Sequence, residues 1–395
     1  MDILLELGGV IISMVLMRPF TLLIKPSGSD CNLNCRYCFY KDRSSDIGHG
    51  RQRMSDDVLE KLIQDYMKLK FPSSGFAWQG GEPSLMDLDF YKKAVELQQQ
   101  YAVSNRDAYN SLQTNAILLD EEWCTFLCEN RFLVGISIDG PKELHDYYRV
   151  DLGDHGTFER VMRAIERCRE YRVEFNTLTL INNVTADHPD EIFDFLVGLG
   201  VRYMQFISCV EMDPNTGQIA DFSVSPKQYG NFLCRVFDRW IKFGPQNLSI
   251  RDFDSILGFL LNGRHTICTF NRQCNNYLVV EHNGDVFPCD FFVDPEWRIG
   301  NIMETPLEKL ADQAEKMDFP KNKQTLCSKC FACRYVAVCW GGCLKDRIPL
   351  DPQTFNCESY FCESYRKFFD YSMPRFMKVA DQFRSGKLIR PHQLV

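Results

Sequence analysis

The amino-acid sequence predicts an α/β fold, in which a partial (β/α)6 barrel of the TIM type precedes a smaller cysteine-rich domain. Between residues 20 and 244, short β-rich runs alternate with amphipathic helical runs, as is typical of parallel α/β architectures. Six such units are too few for a closed barrel of eight, so one side is expected to stay open. After residue 245 the alternation stops and cysteines become frequent. We therefore predict an N-terminal extension over 1–19, the barrel over 20–244, and the second domain with a C-terminal helix over 245–395.

Helices separate the predicted barrel strands. Ser55 opens the first helix, and the two acidic residues after it suit the positive end of the helix dipole. The strands are predicted at 20–24, 75–79, 107–114, 132–138, 173–180 and 202–208. The helices are predicted at 55–70, 88–101, 120–130, 157–171 and 189–199. Because chemistry in such folds lies at the carboxyl ends of the strands, the residues that follow the strands are the candidates for a site.

Three cysteines follow the first predicted strand. Cys31, Cys35 and Cys38 have the spacing C-x3-C-x2-C, which gathers three thiols within eight residues. Thiolates are the ligands of iron–sulfur clusters, and a four-iron cluster needs four of them. A local group of three leaves one iron for a ligand that is not protein. The triplet therefore predicts a cluster with one open iron at the rim of the barrel.

Other unusual residues follow the next strands at the same rim. Residues 80–82, Gly-Gly-Glu, follow the second strand, where glycines allow the backbone to approach a ligand, although a tight turn would also need them. Ser137 ends the fourth strand. Tyr40 and Gln79 are pocket candidates by position, and packing in the core would explain them equally.

The second predicted domain contains ten cysteines. Their spacings, which include C-x2-C pairs, suit structural zinc or further iron–sulfur clusters, and spacing alone leaves both open. A β-hairpin is predicted from strands at 277–281 and 286–289, which flank the Asn-Gly pair at 283–284. Asp290 follows Cys289 directly and is either a turn residue or a general base, with the turn favoured on sequence alone.

Charge and composition narrow the class of protein. The net charge of -8 gives no broad basic surface, which disfavours nucleic acid and suits a neutral or basic peptide. Eighteen cysteines, clustered in a long chain, indicate metal and a reducing compartment, so a cytoplasmic protein is expected. The apolar run at 3–17 is too short for a membrane span and lacks the features of a signal peptide. The remaining thiols are expected to be buried and inert: Cys124, Cys128, Cys168, Cys209 and Cys234.

Taken together, these motifs resemble those of a known superfamily and of one family within it. The cysteine triplet, with Tyr37 before its last member, matches the CX3CXΦC signature of radical S-adenosylmethionine (SAM) enzymes, and residues 80–82 look like their GGE motif. The closer resemblance is to the anaerobic sulfatase-maturating enzymes. It covers nearly the whole chain from residue 20 and rests on Ser137 and on the runs at 23–26, 38–40, 79–83, 110–115, 132–135, 139–143, 288–291 and 298–301.

The resemblance implies three four-iron clusters, one in the barrel and two auxiliary ones in a SPASM domain. The first auxiliary cluster would be held by Cys268, Cys274, Cys289 and Cys343. The second would be held by Cys330, Cys333, Cys339 and Cys362. Two cysteines, Cys327 and Cys357, are additional to the family's pattern.

The resemblance also implies roles for individual residues. Tyr40 and Gln79 would contact the substrate, and Asp290 would act as the general base. The SAM site would comprise Tyr37, Gly80, Gly81, Glu82, Ser137 and Arg149.

The activity that the resemblance implies is radical oxidation of a peptide side chain. SAM is cleaved to methionine and a 5′-deoxyadenosyl radical, which removes a Cβ hydrogen from a cysteine or serine of an unfolded or nascent sulfatase peptide to give formylglycine. A flavodoxin- or ferredoxin-type protein would be the reductant. Two alternatives remain open: a maturase that crosslinks ribosomally made peptides, and a metal-binding or electron-transfer protein without turnover.

Overall fold

The computed structural model describes residues 2–7, 10–15, 18–41, 51–69, 71–102, 107–274, 276–348 and 358–389. In chain order, strands β1 to β12 span Asp2–Leu7, Val10–Val15, Thr21–Lys25, Ser73–Trp78, Asp107–Thr114, Leu133–Ser137, Phe175–Ile181, Tyr203–Ser208, Ser249–Ile250, Tyr277–Glu281, Asp285–Phe287 and Gly300–Asn301. Helices α1 to α13 span Asp56–Lys68, Asp87–Gln100, Glu121–Glu129, Lys142–Tyr148, Phe158–Glu170, Pro189–Gly198, Pro226–Phe243, Arg251–Asn262, Leu307–Lys316, Asp318–Gln324, Ser328–Phe331, Val336–Cys339 and Cys362–Arg384.

Six parallel strands in chain order, β3 to β8, form the partial barrel. All six predicted strands and all five predicted helices are confirmed, with ends within two residues of the prediction. The start of α1 shows why the sequence predicts a helix boundary: the Ser55 side chain accepts a hydrogen bond from the Val58 backbone N–H and caps the helix. The barrel fold predicted from the alternating pattern is therefore confirmed. All the strand ends that carry the candidate residues meet at one rim.

The second part of the chain continues the same sheet. Strand β10 pairs in parallel with β3, which sets Glu281 opposite Lys25, and β10 and β11 form the predicted antiparallel hairpin. Gly284 in the hairpin turn has a φ of 87°, a value that favours glycine. The complete order is β12-β11-β10-β3-β4-β5-β6-β7-β8-β9. Since hydrogen bonds cross the predicted boundary at residue 245, the division into separate domains stays a prediction.

Apolar packing joins the C-terminal helix to the barrel. Rings on α13 contact rings on α7 and α8, with centroids 4.6 Å apart for Phe237 and Phe376 and 5.4 Å apart for Phe253 and Phe368. These residues belong to the largest buried apolar cluster of the described chain. A much smaller cluster lies among the loops of the second part and consists of Phe292, Phe319 and Leu344. The cysteine-rich loops therefore have little apolar core of their own.

The N-terminal segment forms an antiparallel pair of strands, β1 and β2, with Asp2 opposite Val15. This pair is a sheet separate from the ten-stranded one. Among the described helices, none combines the length and the apolar character that a membrane crossing requires.

Candidate active site

The cysteine triplet lies on one loop at the carboxyl end of β3. The loop is fastened to the segment at 148–151, where the Asn34 backbone N–H donates to the Val150 carbonyl oxygen over 2.8 Å. Cys31 Sγ accepts the Leu33 backbone N–H at 3.4 Å. All three thiols are partly buried. The backbone bonds thus hold the three sulfurs at the rim of the barrel.

The thiols of the triplet have neighbours that suit an iron–sulfur cluster. Burial, with further contributions from the Glu82 carboxylate and the Cys35 and Cys38 thiols, raises the pKa of Cys31 to about 12. Burial also raises the pKa of Cys35, while Arg149 acts in the opposite direction. Thiols that disfavour each other's ionisation become thiolates beside a strong cation, and iron provides that charge. The donor set therefore fits a four-iron cluster.

The glycine turn after β4 packs directly on the triplet loop. The Gly81 and Glu82 backbone N–H groups donate to the carbonyl oxygens of Gly28 and Asp30, each over 2.8 Å. A Cβ at position 81 would lie 2.0 Å from the Asp30 carbonyl oxygen, so the approach requires glycine. The Glu82 carboxylate is fully buried and accepts hydrogen bonds from Ser84, Thr114 and Asn115. Glu82 therefore organises the rim through its side chain, and a role of residues 80–82 in binding SAM stays a prediction.

Tyr37 and Arg149, both predicted to bind SAM, contact each other. The Arg149 guanidinium donates from Nη1 to the Tyr37 hydroxyl over 3.1 Å, and that hydroxyl donates to Asp139 Oδ2. All three side chains are at most 9% exposed. Arg149 thus pairs with a buried carboxylate network behind the triplet. Ser137, at the end of β6, accepts a hydrogen bond from the Gln113 side chain over 3.1 Å.

The predicted base and substrate residues lie together. Gln79 Nε2 donates to Asp290 Oδ2 over 2.9 Å. Lys25 Nζ lies 2.5 Å from Asp290 Oδ1 and 4.0 Å from Glu281 Oε1. The same ammonium lies 3.4 Å from the centre of the Tyr40 ring, and the Tyr40 hydroxyl donates to Glu281 Oε1. The structure therefore gathers Tyr40, Gln79 and Asp290 around one buried lysine.

Sequence reasoning missed two members of this group. Lys25 and Glu281 are 1% and 0% exposed and end neighbouring strands, β3 and β10, in parallel register. The sequence did contain a signal for both residues, because each is a charged residue at the end of an otherwise apolar strand. The pairing itself depends on β10 joining the barrel sheet, which the alternating pattern did not predict.

Four cysteines of the second part lie near one another, as the first auxiliary set requires. Burial raises the pKa of Cys343 well above its usual range. The charge of Asp346 and the nearby thiols of Cys268, Cys289 and Cys274 raise the same pKa further. The Tyr277 hydroxyl lies 3.3 Å from Cys289 Sγ. As in the triplet, ionising several neighbouring thiols to thiolates is unfavourable unless a cation lies beside them. The set fits a four-iron cluster, and its assignment as ligands stays a prediction.

The second predicted auxiliary set lines one cavity of about 520 Å³: Cys330, Cys333, Cys339 and Cys362. Cys327 Sγ lies 3.5 Å from Cys330 Sγ, so this additional thiol is also close to the set. Cys357 lies outside the described residues. Within the described ranges, no group of three or more His, Cys, Asp or Glu side chains is arranged for a single metal ion. A four-iron cluster instead takes its thiolates at the corners of a larger cubane.

Family models match both parts of the chain. Residues 26–196 match the radical SAM superfamily, and residues 268–334 match an iron–sulfur cluster-binding domain, SPASM. A cysteine-type anaerobic sulfatase-maturating enzyme of Clostridium perfringens is 38% identical, over 93% of this chain and 100% of the relative. The chain belongs to the anaerobic sulfatase-maturating enzymes. A serine-type member of this family from Bacteroides thetaiotaomicron is 37% identical, over 91% of this chain and 92% of its own.

Solved structures agree with membership of the sulfatase-maturating family. The chain matches native anSMEcpe with bound AdoMet at a TM-score of 0.85 and 38% identity, over 92% of this chain and 100% of that one. It matches anSMEcpe with bound AdoMet and the Cp18Cys peptide equally well, at a TM-score of 0.85. Streptococcus suis SuiB, bound to its precursor peptide SuiA, has 17% identity and a TM-score of 0.62, a likeness in fold alone.

Membership confirms the predicted cofactors of this sulfatase-maturating enzyme. Radical SAM enzymes use SAM with a four-iron cluster, and SPASM domains bind auxiliary iron–sulfur clusters. The thiol groups described above suit both kinds of cluster. The chain is therefore a SAM-dependent enzyme with iron–sulfur clusters. The alternative interpretation, in which the cysteines bind zinc in a protein without catalytic turnover, no longer applies.

Proposed function

We propose that this chain oxidises a cysteine or serine side chain in a sulfatase peptide to Cα-formylglycine, as SAM is cleaved to 5′-deoxyadenosine and methionine. The observation that supports it is the placement of Asp290, next in the chain to the predicted ligand Cys289 and held by Lys25 and Gln79 at the barrel rim. Relatives of the cysteine and serine types are almost equally similar, so both side chains are retained as substrates.

The residues of the chain bind and orient the peptide and move its proton. When bound, SAM and its cluster supply the radical that removes a hydrogen atom from the substrate Cβ. Asp290 accepts the proton of the substrate thiol or hydroxyl. A serine side chain then gives the aldehyde directly, whereas a cysteine side chain gives a thioaldehyde, which water hydrolyses to the aldehyde with release of sulfide. Gln79 fixes one Asp290 oxygen and Lys25 the other, so the carboxylate has one orientation. Tyr40, held by Glu281, forms the neighbouring wall of the site.

Under this proposal the remaining predicted residues hold the cofactors. The SAM site comprises Tyr37, Gly80, Gly81, Glu82, Ser137 and Arg149. Cys31, Cys35 and Cys38 would hold the SAM cluster, and the two auxiliary clusters would supply acceptors for the electron that leaves the substrate. A flavodoxin- or ferredoxin-type protein provides reducing electrons. A cytoplasmic location suits the many reduced thiols.

A peptide assay tests the proposal. The protein is incubated without oxygen with SAM, a reductant and either a Cys-x-Pro-x-Arg or a Ser-x-Pro-x-Arg peptide. Mass spectrometry should show conversion of at least one peptide to the aldehyde, with 5′-deoxyadenosine formed in step. Formation of 5′-deoxyadenosine with both peptides left intact would show that the substrate is wrong.

A further inference from the structure

A buried lysine lies among the cysteine-rich loops of the second part. Lys323, on α10, is 0% exposed. Its ammonium group donates to three carbonyl oxygens, those of Thr269 over 3.0 Å, Trp340 over 3.3 Å, and Gly342. A neutral amine has only two N–H groups, so three carbonyl acceptors specify the charged form. Lys323 is therefore a buried cation with its hydrogen-bonding capacity fully used.

The three carbonyl groups belong to segments that carry predicted ligands of both auxiliary clusters. Thr269 follows Cys268, and Gly342 precedes Cys343, which are both in the first set. Trp340 follows Cys339, which is in the second set. One side chain thus holds backbone from both sets.

The backbone around Lys323 is shaped for this role. Trp340, Gly341 and Gly342 are three successive residues with positive φ, of 43°, 75° and 68°. This uncommon run directs the Trp340 and Gly342 carbonyl oxygens to the same ammonium. On the other side, Arg347 donates to the Lys323 carbonyl oxygen over 3.1 Å and so fixes the end of α10.

We propose that Lys323 is a positioning residue shared by the two auxiliary clusters, which ties together their ligand segments and places one fixed positive charge beside both. The inference rests on the assignment of the two cysteine sets within the proposed function. The reduction potential of an iron–sulfur cluster depends on nearby charge, hydrogen bonds and exposure. A buried cation stabilises the reduced, more negative cluster, so Lys323 makes both clusters better electron acceptors.

The test compares two lysines of the same helix. Lys323→Met removes the charge at similar side-chain length, and Lys321→Met removes an exposed lysine that pairs with Asp318 in its own helix turn. Each protein is loaded with iron and sulfide without oxygen, and iron content and cluster midpoint potentials are measured by EPR-monitored redox titration. We expect Lys323→Met to lower the potentials of both auxiliary clusters and leave that of the SAM cluster unchanged. Lys321→Met should match the wild type.

If Lys323→Met loses both auxiliary clusters and keeps the SAM cluster, the result would support the part of the proposal in which Lys323 positions the ligand segments. A change at one auxiliary cluster alone, or at neither, would overturn it. If Lys323→Met loses all three clusters, Lys323→Gln, which keeps two N–H donors, is measured by the same criterion. No peptide is used, so failure of the sulfatase assignment would leave these results interpretable.

Discussion

At the scale of single residues, the site depends on a buried arrangement of opposite charges. Lys25 lies between the carboxylates of Asp290 and Glu281, while Tyr40 and Gln79 each bond one of those carboxylates. Burying charges is costly unless they are paired and hydrogen-bonded, and here each carboxylate has both. The arrangement therefore fixes Asp290 in one orientation, which suits a group that must take a proton from a bound peptide.

Replacing the proposed base should lower the yield of formylglycine much more than the yield of 5′-deoxyadenosine. Asp290→Asn keeps the size of the side chain but removes its ability to accept the substrate proton. Peptide oxidation should slow by about 10²- to 10⁴-fold, while reductive cleavage of SAM continues. The ratio of 5′-deoxyadenosine to formylglycine measures this. Asp312→Asn, at an exposed position on α9, is the control, and unimpaired oxidation in Asp290→Asn would remove Asp290 from the role of base.

Removal of the central lysine should destabilise the fold. Lys25→Met leaves two carboxylates without their cation, and breaking a buried pair in this way costs about 3–5 kcal/mol. Anaerobic chemical unfolding measures the loss. The double variant Lys25→Met with Glu281→Gln should recover part of it, because one unpaired charge is removed. Lys93→Met breaks an exposed pair with Asp56 and should cost less than about 1 kcal/mol.

At the scale of elements, two turns at the rim of the barrel pack directly on each other. The turn after β4 and the triplet loop approach each other so closely that residue 81 has no room for a side chain. Both segments were predicted as rim elements, because each follows a parallel strand. Their mutual contact could not be predicted, since it depends on the loop conformation and not on the strand order.

A single methyl group in this turn should disturb both stability and SAM binding. In Gly81→Ala the new Cβ would meet the Asp30 backbone, so the loop must shift, at a cost of about 1–3 kcal/mol. SAM affinity, measured by equilibrium dialysis with the cluster-loaded protein, should fall. Gly198→Ala is the matched control, because no atom lies within 4 Å of a Cβ there. Equal SAM affinity in the two variants would contradict a role for this turn.

At the scale of the whole molecule, two different kinds of interaction hold the two parts together. The barrel and α13 share one large apolar core. The cysteine-rich part contributes a few residues, such as Phe270 and Val338, to that core, and its own buried cluster is the small group of Phe292, Phe319 and Leu344. Where apolar burial is small, bound metal supplies much of the folding free energy. Residues 317–348 should therefore depend on the bound clusters for their stability far more than the barrel does.

Iron removal tests this difference. The loaded protein should contain about twelve irons per chain, four for each of three cubane clusters. After anaerobic chelation, limited proteolysis should cut within residues 317–348 before it cuts the barrel strands. Mass spectrometry of the fragments locates the cuts. Equal protection of residues 317–348 before and after chelation would show that the clusters do not stabilise these loops.

The sequence by itself determined the barrel, the rim and the kind of cluster. Hydrophobic periodicity is local, so it predicted the barrel strands to within two residues, and the spacing of Cys31, Cys35 and Cys38 is local too. Tertiary structure alone decided which distant residues meet. Lys25 and Glu281 pair because β10 joins β3, and Lys323 reaches both cysteine sets because Thr269 and the turn at 340–342 direct their carbonyl groups toward it. Such contacts depend on strand order and loop conformation, which no local pattern encodes.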